Sequence, residues 1–236
     1  MSEGEREISR VTRSKRQARA SYDKMSKWYD ILAHPERRYG YLGLQKLRPA
    51  EGETVLEIGF GTGHGILALA QSVGNSDRVY GIDISEGMVN VTRSRVRKAG
   101  LSERVVLTCG DAARLPFEAD FFDAVFMSFT LELFDTPEIP MVLHECRRVL
   151  QSDGRICVVA MSKKGKANVI TRLYEWAHAK FPQYVDCRPI FAQQALEEAG
   201  FQILDVTERT MFGLPVEIVV AKKGASWLTP SNPSTS

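Results

Sequence analysis

The chain has 236 residues and a formal net charge of +2, and 44% of its residues are hydrophobic while 25% are charged. This balance is typical of a globular protein, and the length suffices to bury a core without disulfides or structural metals. The small net charge argues against a surface built for nucleic acid or for membrane lipid. Cysteines at positions 109, 146, 157 and 187 form no CxxC pair, which predicts a reducing, cytoplasmic setting and no metal site.

The N-terminal region changes in composition at about residue 20. Residues 1–19 are basic and contain no apolar stretch of the kind found in secretory signals, so they are interpreted as a flexible lead-in, with a phosphate-binding arm as the alternative. Residues 20–48 are expected to form a helical cover rich in aromatic side chains, namely Tyr22, Trp28, Tyr29, Tyr39 and Tyr41. No apolar run approaches the roughly 20 residues needed to cross a bilayer.

From about residue 53, short β-branched runs alternate with longer helical patterns. The expected strands cover 54–58, 78–83, 104–109, 122–127, 154–161, 201–206 and 216–221. Helical patterns lie near 63–73, 86–99 and 138–149, the second with Ser85 placed to cap its start. The first five strands are nearly continuously apolar, as in parallel strands covered on both faces. This alternation predicts a single α/β domain over 20–224, with a doubly wound sheet.

A long insertion, residues 163–190, separates the fifth and sixth expected strands and carries Tyr174, Trp176, Phe181 and Tyr184. Because ligands bind at the carboxyl ends of parallel strands, this insertion and the cover 20–48 are expected to close over a ligand as a lid. The alternative is that their aromatic side chains only pack the helices against the sheet. Residues 225–236, rich in Ser, Pro and Thr, are expected to be a disordered tail.

A glycine-rich loop, VLEIGFGTGHG at residues 55–65, gives the clearest functional signal. A buried strand runs directly into alternate glycines and then into a helix, whose free N–H groups can meet a polar ligand. His64 stands where a dinucleotide fingerprint requires glycine, and no GK[ST] sequence is present. The loop therefore favours a ligand without a pyrophosphate.

Two acids follow the next two strands. Asp83 ends the second strand and can accept hydrogen bonds from both hydroxyls of a ribose; capping the following helix is the alternative, although Ser85 is better placed for it. Asp111 ends the third strand and can accept a hydrogen bond from an exocyclic adenine amine. Its alternative role is to form an Asx turn.

Five segments in register carry a family resemblance: the loop 55–65, the acid after strand two, GDAARLPF at 110–117, FDAVFMSF at 122–129 and RRVLQSDGRI at 147–156. Together they resemble the class I S-adenosylmethionine-dependent methyltransferases, and they are most similar to the UbiE-type branch of ubiquinone and menaquinone biosynthesis. The resemblance implies a Rossmann-like, seven-stranded sheet with helices on both faces, whose last strand runs antiparallel to the others.

The resemblance also implies the cofactor, S-adenosylmethionine, and the residues that hold it. Glu57, Gly59, Gly61 and Thr62 would border the methionine moiety, with Gly63 in the same loop. Asp83 would hold the ribose, Ile84 and Met88 would flank the adenine, Asp111 and Ala112 would contact its edge, and Ser128 would close the far side. Tyr22 and Tyr29 would flank the cofactor or the acceptor.

The resemblance implies methyl transfer by in-line displacement, to which orientation of the reactants contributes most. A general base is needed only if the acceptor must lose a proton, and the candidates are His34 and Glu132. The aromatic content favours a small, apolar or ring-bearing acceptor methylated at carbon or oxygen, although the Arg-Asn pair associated with quinone methylation is replaced by Thr130-Leu131-Glu132-Leu133. A polar small molecule or a lipid headgroup amine is the alternative acceptor. An NAD-dependent oxidoreductase and a non-catalytic scaffold are further alternatives. No nucleic-acid partner is expected, and no oligomeric state is assigned.

Overall fold

The computed structural model describes residues 10–11, 14–25, 34–74, 77–164 and 188–224. In these ranges the α-helices are α1 (Lys15–Met25), α2 (His34–Leu47), α3 (His64–Ser72), α4 (Glu86–Lys98), α5 (Ile139–Val149) and α6 (Ala192–Glu198). The strands are β1 (Val55–Ile58), β2 (Val79–Asp83), β3 (Val105–Cys109), β4 (Phe122–Ser128), β5 (Leu150–Met161), β6 (Phe201–Met211) and β7 (Leu214–Lys223). None of the described helices is both long and apolar enough to span a bilayer.

The seven described strands form one sheet in the order β3-β2-β1-β4-β5-β7-β6. Neighbours from β3 to β5 are parallel, and β7 is antiparallel to both β5 and β6. The predicted Rossmann-like sheet with an antiparallel last strand is thus confirmed. The strand order reverses between β1 and β4, and in such sheets a crevice opens at the carboxyl ends of these two strands.

The sheet is covered on both faces. On one face α2, α3 and α4 pack against it, and Tyr39, Leu69 and Val96 belong to the core cluster there. On the other face α5 and α6 pack against it, with Leu143 and Leu196 in a second cluster. This double covering explains why all four residues of β1 are buried, and it fixes the loop that follows β1 relative to the rest of the sheet.

The structure differs from the predicted elements in five places. β5 begins at Leu150 rather than residue 154, and β6 and β7 extend into one hairpin closed by Phe212 and Gly213. α6 was not among the predicted helices. β3 is only half-buried because it forms the edge of the sheet. α1 begins at Lys15, so the predicted boundary between lead-in and cover falls inside a helix.

Candidate functional site

A cavity of about 610 Å³ opens at the carboxyl ends of β1, β2 and β4, beneath α1 and α2. Its size is that of a pocket for a small-molecule ligand. Most of the residues predicted from the sequence to bind a ligand line it: Tyr22, Glu57, Gly59, Gly61, Thr62, Asp83, Ile84, Met88, Asp111, Ala112 and Ser128. The parallel sheet brings these positions together because successive strand ends meet at one edge.

Gly63, predicted in the same loop, is not among the residues that line the cavity. Its φ of 83° is left-handed, and it stands at the N-cap of α3. A Cβ atom there would lie 2.4 Å from Thr92 Cγ2, and Thr92 Oγ1 itself donates to the carbonyl of Gly61 at 2.9 Å. Gly63 therefore permits the turn and the close approach of α4, rather than contact with a ligand.

The carboxylate of Asp83 is held by two backbone N–H groups. Oδ2 accepts from Gly61 and Oδ1 from Ser85, each at 2.9 Å. Burial raises the pKa of Asp83 to about 6, and the two backbone hydrogen bonds only partly oppose this effect. A carboxylate can accept about four hydrogen bonds, so Asp83 keeps acceptor capacity for a ligand. Ser85 is the N-cap of α4, accepting from the N–H of Met88, as predicted.

Glu57 lies next to Asp83 at the end of β1 and is 4% exposed. Within the described part of the chain, its buried Oε2 accepts no hydrogen bond. Burial, and then the charge of Asp83, raise the pKa of Glu57 well above its ordinary value. A buried carboxyl group without a partner is unfavourable, so this corner of the cavity suits a ligand that brings a cationic or hydrogen-bond-donating group.

Asp111 uses both of its oxygens within the protein. Oδ1 accepts from the N–H of Ala113 at 3.0 Å, which is the Asx turn named above as the alternative. Oδ2 accepts from Lys15 Nζ at 2.6 Å, and Lys15 also contacts Glu138 Oε1 at 2.7 Å. The sequence did not indicate Lys15 or Glu138, although both line the cavity. The proposed contact of Asp111 with adenine stays a prediction.

Beyond Ser128, the cavity wall is mostly apolar and aromatic. It contains Tyr41, Leu44, Phe126, Phe129, Leu133, Phe134 and Pro137. Phe129 has a φ of 50°, a strained conformation for a residue that is not glycine. Its N–H donates to Val159 at 2.8 Å and its ring packs edge-on against Tyr39, so the surrounding structure holds it in this conformation at the wall.

Glu132, a candidate base, lies away from the cavity. It is fully buried, it does not line the cavity, and its Oε1 accepts from the N–H of Met161 at 3.1 Å. Glu132 thus links the end of β4 to the end of β5. Tyr29 and the side chain of His34 lie outside the described residues, as does most of the insertion 163–190.

His64 lines the cavity, although the sequence pattern predicts no contact with a ligand for it. Its Nε2 lies 2.8 Å from a guanidinium nitrogen of Arg95, and that nitrogen also donates to the carbonyl of Thr62. Because arginine can only donate, Nε2 must accept and Nδ1 must carry the ring proton. Across the described ranges, no group of three His, Cys, Asp or Glu side chains could hold a metal ion.

Comparison with known proteins identifies a family whose members resemble part of this chain. Residues 55–154 match a family described as a methyltransferase domain. The demethylmenaquinone methyltransferase of Bacillus subtilis is 32% identical over 143 residues, which cover 61% of this chain and 59% of that protein. The chain therefore spans about three fifths of the length of this curated relative.

Two solved structures have a similar fold. One is a SAM-dependent methyltransferase from Aquifex aeolicus, 25% identical with a TM-score of 0.60, covering 86% of this chain and 97% of that one. The other is the [4+2]-cyclase SpnF, 20% identical with a TM-score of 0.72, covering 91% of this chain and 98% of that one. The domain match, the sheet order and the relatives together support S-adenosylmethionine as the cofactor. Residues 55–154 carry a methyltransferase domain, and the chain is similar to class I S-adenosylmethionine-dependent methyltransferases of the UbiE-type branch.

Proposed function

We propose that this chain transfers the methyl group of S-adenosylmethionine to a small acceptor that presents a ring or another apolar surface, at carbon or oxygen. The observation that carries the proposal is one continuous cavity. It joins the acids of β1 and β2 to the aromatic wall beyond Ser128. A ligand held by Asp83 and an acceptor held against Phe129 and Phe134 would share this space, so the two reactants could be aligned in it.

The residues present fit this cofactor. When bound, S-adenosylmethionine supplies an electrophilic methyl carbon on a positively charged sulfur. Asp83 would accept from the ribose hydroxyls, and the buried carboxyl of Glu57 would face the positive charge of the methionine portion. Transfer would exchange the carbon–sulfur bond for a bond to the acceptor, with the electron pair left on sulfur, and the proton displaced from the acceptor's C–H or O–H would pass to a base or to water. Because the leaving thioether is neutral, the protein need not stabilise a new anion there.

Binding of S-adenosylhomocysteine is expected to release a proton near pH 6. The pKa of Asp83 is about 6 without ligand, and hydrogen bonds from ribose hydroxyls favour the ionised form, so binding lowers that pKa. Affinity should therefore rise as the pH increases through 6. It should go on rising above pH 6, because the positive charge of the ligand also lowers the raised pKa of Glu57. Calorimetry at pH 6 in buffers of different ionisation enthalpy measures the number of protons released on binding. Equal heats in all buffers would contradict the assignment.

The apolar and aromatic wall of the cavity provides a second test of the proposed function. Phe134→Ala removes apolar surface from the cavity wall. We therefore expect methyl transfer to a ring-bearing acceptor to show a KM raised about tenfold, as for the loss of ~1–2 kcal/mol of apolar contact. S-adenosylhomocysteine affinity should change less than twofold. Phe212→Ala is the matched control, because Phe212 is 76% exposed and lies in the β6–β7 turn. An equal rise of KM in both variants would argue against an acceptor bound at Phe134.

A polar acceptor, such as a small-molecule or lipid headgroup amine, is the second candidate. It is favoured by the charged side chains of Glu36 and Arg37, which also line the cavity. A similar fold also carries the name of a cyclase, and a fold does not by itself determine the reaction. The decisive assay must therefore measure transfer of the methyl group itself.

That assay supplies S-adenosylmethionine tritiated on the methyl group, with either demethylmenaquinone or a total cell extract as acceptor. The products are then partitioned between organic and aqueous phases. We expect enzyme-dependent tritium in the organic phase. Tritium confined to an aqueous amine would support the second candidate, and tritium in nucleic acid would refute both. No transfer to any fraction, with S-adenosylhomocysteine still bound, would point to a scaffold or to a different reaction.

A further inference from the structure

The described N-terminal residues, 10–11 and 14–25, contribute to the cavity wall and are here called the strap. Arg10, Val11, Lys15, Ala18 and Tyr22 of the strap line the same cavity as Gly59, Gly61 and Asp83. A ligand held by Asp83 would therefore share the cavity with side chains of the strap. Among the described residues, hydrogen bonds and ion pairs attach the strap to the rest of the protein at three points.

The first attachment is at the beginning of the strap. The guanidinium of Arg10 contacts both oxygens of Asp135, with Nε at 2.9 Å from Oδ1 and a terminal nitrogen at 2.6 Å from Oδ2. The N–H of Val11 donates to the same Oδ1 at 3.0 Å. These hydrogen bonds hold the pKa of Asp135 well below its usual range. Asp135 lies just after the short helix Leu131–Leu133, on the acceptor side of the cavity.

The second attachment is the ammonium group of Lys15. It lies between Asp111 Oδ2 and Glu138 Oε1, at 2.6 and 2.7 Å. Burial lowers the pKa of Lys15, but hydrogen bonds to Asp111 and Glu138 outweigh burial and raise it. Lys15 thus joins the end of β3 to the start of α5, and its pairs are about one third exposed. Salt in solution can reach and screen them.

The third attachment joins a carboxylate of the strap to two uncharged donors. Asp23 Oδ1 accepts from Ser85 Oγ at 2.6 Å and from the N–H of Gly87 at 2.9 Å. It fixes the C-terminal part of α1 to the start of α4, next to Asp83. The contrast between the ends of the strap is informative: the α4 end is held by hydrogen bonds to a helix terminus, whereas Arg10 and Lys15 hold the other end by ion pairs.

We propose that the strap is an ion-paired gate, hinged near Asp23, whose opening at Arg10 and Lys15 limits release of the spent cofactor. Lys15 is the positioning residue of the gate. One of its partners, Asp111, is also the predicted adenine contact, so the gate and the cofactor share a carboxylate. The proposal rests on assignment of the cavity to this cofactor and not on any acceptor.

The test measures the dissociation rate of S-adenosylhomocysteine by stopped-flow displacement, between about 0.05 and 0.5 M KCl, where screening of exposed charges becomes strong. For the wild-type protein the rate should rise about three- to tenfold with salt, as expected for a few partly exposed ion pairs. Lys15→Met should raise the rate by a similar factor at low salt and remove most of the salt dependence. Glu138→Gln should give part of the same effect.

Arg16→Met is the matched control, because Arg16 is exposed on the same helix and has no ion pair within the described residues. It should behave as the wild-type protein does. A rate in Lys15→Met equal to that in Arg16→Met would overturn the gate, even if methyl transfer is normal. If the wild-type protein binds S-adenosylhomocysteine but transfers no methyl group, the gate can still be supported while the proposed reaction fails. No binding at all would refute both.

Discussion

Gly61→Val is expected to reduce S-adenosylhomocysteine binding by more than about a hundredfold while leaving the sheet folded. Gly61 has a φ of 51°, which a β-branched residue adopts only under strain. It also lines the cavity, and its N–H donates to Asp83 Oδ2 at 2.9 Å. A valine would therefore disturb the cavity wall and the carboxylate beside it at the same time. Calorimetry measures the affinity, and circular dichroism with thermal melting checks the fold.

Gly100→Val is the control that separates backbone strain from a local disturbance of the cavity. Gly100 has a comparable φ of 70°, but a Cβ atom there would meet nothing within 4 Å and the residue is remote from the cavity. Backbone strain alone should lower the stability of both variants by ~1–2 kcal/mol. Only Gly61→Val should lose the ligand. Loss of binding in both variants would mean that general destabilisation, and not a local contact, explains the result.

Much of the sheet could be predicted because each strand carries its own signal. The apolar runs bounded by glycine and acids place β1, β2 and β4 almost to the residue, whereas the antiparallel direction of β7 came from the family resemblance. α6 was missed because only seven residues form it, none of its side chains caps its start, and just Ala192 and Leu196 are buried. The half-buried position of β3 depends on its place at the sheet edge, which its composition does not report.

The site could be predicted where topology alone brings residues together. Glu57 and Asp83 lie at the carboxyl ends of adjacent parallel strands, so their proximity is a consequence of the sheet order. The pairs of Lys15 with Asp111 and of Arg10 with Asp135 join residues 96 and 125 positions apart, and no local pattern indicates such contacts. The sequence cannot place Glu132, because a carboxylate after β4 gives the same signal whether it faces the cavity or, as here, the interior.

Asp83→Ala is expected to weaken S-adenosylhomocysteine binding by ~2–4 kcal/mol, about 30- to 1,000-fold, because charge-assisted hydrogen bonds to two hydroxyls would be lost. Asp83 also accepts hydrogen bonds from the N–H groups of Gly61 and Ser85. Displacement of the glycine loop is therefore a second possible cause of weaker binding. Asp153→Ala, at an exposed position in β5, provides a control for removal of a carboxylate elsewhere.

A ligand lacking the ribose hydroxyls distinguishes these two causes. In the wild-type protein, the 2′,3′-dideoxy analogue of S-adenosylhomocysteine should bind more weakly than the parent by a similar factor, because the carboxylate of Asp83 then lacks its donors. In Asp83→Ala, the parent and the analogue should bind nearly equally, since the interaction is already absent. The coupling between the two changes is the measure of direct contact. If the analogue remains as strongly disfavoured in Asp83→Ala as in the wild-type protein, another residue holds the ribose, and Asp83 serves only to fix the loop.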